Sequence, residues 1–98
     1  MQHRRILLES IVASGIDFPR LGGNLLVVRR EESPDLDWEV VVQTRDRIDV
    51  DQAPYNLLLS GPEGNFSGPA ILVRSDGTSH VFRGAGDLGG FVDEDFGA

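Results

Sequence analysis

Residues 24–45 read NLLVVRREESPDLDWEVVVQTR, and the way this stretch folds decides the architecture of the chain. Residues 24–32 and 37–45 are two runs rich in Leu and Val, parted by Ser33-Pro34-Asp35-Leu36, a composition that interrupts strands and makes turns. Valine branches at Cβ, which restricts χ1 and suits a pleated surface better than a helix. If those four residues form the loop, Val27 lies opposite Val42, Val28 opposite Val41, and Arg30 opposite Glu39, so that opposite charges meet across the strands. Alternation then gathers Leu25, Val27, Trp38, Val40 and Val42 on one face, the core face. The other face carries Leu26 and Val28 among Arg30, Glu39 and Gln43. It is only half polar, which predicts cover from another element or another subunit.

Towards the C-terminus, residues 44–54 are polar and read as a strand end running into a loop. Residues 55–60 form a short apolar strand ended by Gly61-Pro62-Glu63-Gly64, with Pro62 where a turn wants its fixed φ. A hairpin there sets Leu59 opposite Phe66. Gly68-Pro69 predicts a bulge or a sheet edge, because proline cannot donate to a ladder. Asp76-Gly77 is the preferred pair for a two-residue type I′ hairpin. Counting outward from it pairs Val73 with His80 and Ile71 with Phe82, and puts Ile71, Val73 and Phe82 on one face. Residues 84–98 are rich in glycine and then acidic, giving at most a short strand near 88–92 and a frayed acidic tail over 92–98.

Towards the N-terminus the periodicity changes. Leu7, Leu8, Ile11, Val12 and Ile16 gather on one helical stripe with Arg5 and Glu9 four apart on its flank, which predicts a helix over residues 3–13. Ser14-Gly15 supplies its stop and Pro19 forbids continuation. The expected fold is a single domain over 1–98, mainly β (α+β). It is an antiparallel five- to six-stranded meander or partly closed barrel over 24–91, with one N-terminal helix.

Composition narrows the chemistry. The 98 residues contain no Cys, which removes disulfides, thiolate nucleophiles and zinc–thiolate sites. All nine basic residues are Arg, so Schiff-base chemistry and a phosphate-loop lysine are absent. A net charge of −7 opposes generic binding to a nucleic-acid backbone. No window approaches the roughly 18 apolar residues of a membrane span, and the basic start is followed by an apolar stretch that Glu9 and Ser10 interrupt, unlike a signal peptide. A cytoplasmic location is expected.

The candidate sites are weak. Gly84-Ala85-Gly86-Asp87-Leu88-Gly89 matches the dinucleotide fingerprint, but too few residues follow to build the helix and next strand that the mechanism needs. Asp35, Asp37 and Glu39, and likewise Asp49 and Asp51, alternate as calcium ligands can, without the EF-hand register, and read better as solvated surface. His80 lies among apolar neighbours with no carboxylate or hydroxyl converging on it. Arg4-Arg5, Arg29-Arg30 and Arg45 with Arg47 could form an anion pocket, although neighbouring acids favour surface ion pairs. No catalytic, metal or cofactor set is expected, and no cofactor.

The sequence therefore predicts a non-enzymatic protein–protein interaction or self-assembly module, with Leu26, Val28, Trp38, Leu58 and Tyr55 as interface residues and a protein partner or a second copy as companion. The alternatives are an acidic inhibitor that mimics nucleic acid and binds a basic partner, and a small-ligand-binding β-barrel with His80, Tyr55 and an Arg at its mouth.

Overall fold

The computed structural model describes residues 2–18, 20–32 and 34–96. Its strands are β1 (Gln2–Leu7), β2 (Ser10–Ala13), β3 (Ile16–Asp17), β4 (Arg20–Arg29), β5 (Leu36–Thr44), β6 (Pro54–Gly61), β7 (Gly64–Ser75) and β8 (Ser79–Gly84). They form one antiparallel sheet in the order β1-β4-β5-β8-β7-β6-β2-β3. The sheet is eight-stranded rather than five- to six-stranded, and it is not closed, since β1 and β3 are its outer members. It is nonetheless strongly curled. Only Leu8 and Glu9 separate β1 from β2, yet Leu8 N–H donates to Gly23 O on β4 at 2.9 Å and Glu9 N–H to Ser60 O on β6 at 2.7 Å. Two residues thus reach from one side of the sheet to the other and roll it around a single core.

The expected N-terminal helix over 3–13 is absent, and the described residues contain no α-helix. Ile6, Leu8, Ile11 and Ala13 are buried, while Leu7 is 56% exposed. Inward side chains alternate up to Leu8, then skip one extra residue at the joint between β1 and β2 before alternating again. That single offset makes two strands imitate a helical period. Ser14-Gly15 is not a helix stop but a two-residue hairpin turn with positive φ at both positions (47° and 87°), the type I′ geometry.

The hairpin of β4 and β5 exists in a different register. Val27 pairs with Trp38 and Leu25 with Val40, so the connection is longer than Ser33-Pro34-Asp35-Leu36 and the pairing is displaced by four residues. An even displacement leaves the faces unchanged, and Leu25, Val27, Trp38, Val40 and Val42 are all buried. Leu59 does face Phe66. The Asp76-Gly77 corner is a looser turn. Ser75 pairs with His80, only Gly77 has positive φ (72°), and a bulge falls at Val73. Leu72 now opposes Phe82 and both are buried, while Ile71 and Val73 face outwards.

Gly68-Pro69 is neither bulge nor edge. Pro69 sits in unbroken register opposite Asn56, and its carbonyl accepts from Ala85 N–H at 2.8 Å. A strand residue's N–H and C=O point to the same side, so the missing donor faces beyond the end of β8 and the ladder to β6 loses nothing. Past β8, Gly89 forms an isolated bridge with Ser67. The tail expected to fray over 92–98 is a 3-10 turn at Asp93–Phe96, with Phe91 buried and Phe96 packed on the core; residues 97–98 lie outside the described residues.

Candidate functional site

Cross-strand pairing fixes what the convex surface carries. One ladder runs Arg5, Leu26, Glu39, Arg83, Ile71 and Pro54 across six strands. A parallel one runs Leu7, Asn24, Val41 and Val81 across β1, β4, β5 and β8. Leu26 and Val28 are half-buried there and floor a groove of about 330 Å³, rimmed by Arg30, Asp37, Glu39 and Arg83. Arg30 Nε lies 3.3 Å from Asp37 Oδ2. An apolar floor inside a charged rim is the usual anatomy of a protein-docking patch.

Leu58 does not join this groove. It is 60% exposed on β6, at the floor of a second, shallower depression of about 410 Å³. The depression consists of two rows: Ser10 on β2 opposes Ser60 on β6, which opposes Asn65 on β7, and beside them Val12, Leu58 and Ser67 align in the same way. Asn56 with Pro69, then Pro54 with Ile71, continue the same face.

The two expected interface aromatics also pack on the core, and Trp38 borders the groove floored by Leu26 and Val28. Trp38 is 4% exposed, and its Nε1–H donates to Gly86 O at 2.9 Å. The indole lies flat over backbone that has no side chain: a Cβ on Gly84 would overlap it, and one on Gly68 would sit 2.8 Å from its Cζ2. The glycine motif thus makes room for a tryptophan and opens no helix. Tyr55 is half-buried, edge-on to Phe82 at 5.9 Å, and its hydroxyl donates to Asp51 O at 2.7 Å. Exposed large hydrophobics outside the expected interface set are Leu7, Ile16, Ile71, Val73 and Val92; the first two belong to the expected helical stripe, and the expected hairpin register places Ile71 and Val73 on the face of Phe82.

His80 is fully buried and has a hydroxyl partner after all, because the corrected register brings Ser75 opposite it, with Oγ 2.8 Å from Nδ1. Nε2 has no partner, and the ring meets Phe18 edge-on at 5.6 Å. Burial holds its pKa below the ordinary histidine value, partly offset by the Gly77 backbone and the Asp76 carboxylate. Ser75 is half-buried and borders a surface depression with Asp76 and Gly77, while the imidazole behind it is enclosed. His80 and Tyr55 do not converge on a barrel mouth, because the rings of Phe18 and Phe82 stand between them.

The arginines disperse into local contacts: Arg4 with Glu63, Arg30 with Asp37, Arg74 with Asp76, and Arg29 over the Phe96 ring at 5.8 Å. Among the described residues no three His, Asp or Glu side chains converge as metal ligands. Eight of the sixteen acidic residues lie in connections at the two ends of the sheet. Glu31, Glu32, Asp35 and Glu63 lie in connections at one end, and Asp46, Asp49, Asp51 and Asp76 in those at the other. No helix among the described residues is long and apolar enough to cross a membrane. Comparison with family models, with curated proteins and with solved structures finds no match.

Proposed function

We propose that this domain is a non-catalytic interaction module that docks another protein chain on the convex face of its sheet. The observation that carries this reading is the groove floored by Leu26 and Val28 and rimmed by Arg30, Asp37, Glu39 and Arg83. Around it the outer ladder of Leu7, Val41 and Val81 leaves apolar surface that the domain's own core does not use. The reading as an acidic inhibitor has less support, because the carboxylates are spread over the connections at both ends, several strands and the C-terminal segment.

The test is saturable binding. Immobilised wild-type domain is exposed to proteins of its native source, with free domain as competitor, beside a Leu26→Asp, Val28→Asp variant of the same thermal stability. The expected result is a competed partner that the variant does not retain. A wild-type chain that retains nothing competable and remains monomeric at high concentration overturns the proposal.

A further inference from the structure

We infer that the outer face of β2, β6 and β7 docks a second copy of this chain, face to face about a two-fold axis near Leu58. This rests on the reading of the domain as an interaction module and adds a second surface to it, apart from the Leu26 groove. Charged residues are 26% of the sequence, yet the rows Ser10, Ser60, Asn65 and Val12, Leu58, Ser67 contain none, and neither do the rows beyond them. Charge returns at the margins, with Asp17 beside Val12, Arg83 beside Ile71, and Glu9 and Glu63 next to the row of Ser10, Ser60 and Asn65. Among the described residues, the side chains of Ser10, Ser60, Asn65 and Ser67 have no hydrogen-bond partner.

Electrostatics selects the occupant. A basic partner would gain nothing here and would be drawn to the acidic loops at the two ends of the sheet. Two copies that each carry −7 repel through those same loops, and this face lets them meet without opposing like charges. An isologous contact also suits its make-up, because serine and asparagine side chains donate and accept and can pair with their own kind. A saccharide would want an exposed ring to stack on, and Phe66, beneath this face, is 5% exposed.

The area sets the strength. Three strands about 4.8 Å apart and four rows about 6.8 Å apart cover roughly 400 Å² in projection. That is about half of the roughly 800 Å² per partner of a stable interface and falls in the range of weak, transient contacts. The dimer is therefore weak and in exchange with monomer.

Light scattering and sedimentation on the full chain, up to millimolar concentration, test this. The mass should rise from 10.7 kDa towards twice that value, and added salt should strengthen association by screening the −7 charges. Leu58→Asp should weaken association at least ~10-fold, because an unpaired carboxylate would be buried at the contact, whereas Leu26→Asp leaves the mass profile unchanged. Because the chain has no Cys, Leu58→Cys should cross-link to a dimer on mild oxidation and Leu26→Cys should not; this pair remains informative if Leu58→Asp fails to fold. A strict monomer overturns the inference, while capture of a different protein through Leu26 leaves the proposed function standing. A dimer that survives Leu58→Asp, or that Leu58→Cys does not link, also overturns it.

Discussion

Replacing Trp38 with Phe should destabilise the fold by about 2 to 3 kcal/mol, and the figure can be built from its surroundings. The indole Nε1–H bond to Gly86 O is lost, which removes about 1 kcal/mol. The smaller ring withdraws the equivalent of roughly two methylenes from a site that is 4% exposed, about 1.5 kcal/mol at ~0.8 kcal/mol each. The sum is a sizeable share of the ~5 to 15 kcal/mol that holds such domains together. It corresponds to a fall of about 10 to 20 °C in Tm for a domain of this size. Urea and thermal unfolding followed by far-ultraviolet circular dichroism measure it without relying on the lost fluorophore. In the wild-type chain, emission from this single tryptophan should be blue-shifted and poorly quenched by iodide. A Trp38→Phe variant within ~0.5 kcal/mol of wild type, as surface substitutions usually are, would refute the packing argument.

Gly84→Ala pushes a Cβ into the same indole and should cost about 1 to 3 kcal/mol. Combined with Trp38→Phe it should cost less than the sum, because the smaller ring vacates part of the space; strict additivity in a double-mutant cycle would contradict the contact. His80 makes stability depend on pH. Burial holds its folded pKa below the ordinary value of 6.5, so from about 6.5 downwards the unfolded chain binds the proton that the folded chain refuses. Stability should thus be flat above about pH 7 and fall with pH through the window between the unfolded and the lower folded pKa. Urea midpoints measured across that range should lose this slope in His80→Gln, and an unchanged slope would show that another group is responsible.

How much of the fold was legible in the sequence depended on the parity of each error. The pairing of β4 with β5 was misjudged by four residues, and every core assignment survived because side chains alternate with period two. The expected pairing of β7 with β8 is two residues off at Ser75 and His80 and, past the bulge at Val73, one residue off, so Leu72 rather than Ile71 shares the buried face with Phe82. The extra residue at Val73 that causes the slip carries no glycine or proline to announce it. The joint at Leu8 and Glu9 misled for the same reason: one added residue between two short strands turns alternation into a helical spacing. Local turn chemistry was equally ambiguous, since Ser14-Gly15 serves a helix end or a type I′ corner, and only the strands on either side choose between them.

The candidate site was legible where it lay within one hairpin and illegible where it crossed several. Leu26 and Val28 could be assigned outwards from alternation alone. The role of Trp38 could not be read, because Gly84 and Gly68, which clear the space for its ring, come from strands far along the chain. The uncharged face around Leu58 is the extreme case. Ser10, Ser60 and Asn65 are unremarkable in their own segments, and only the pairing of β2 with β6 and of β6 with β7 lines them up. A net charge of −7 says nothing about where charge is missing, yet that absence decides how two acidic bodies can touch. The informative quantity on this surface is therefore the distribution of its charges once the sheet is rolled up, and it exists only after the register is set.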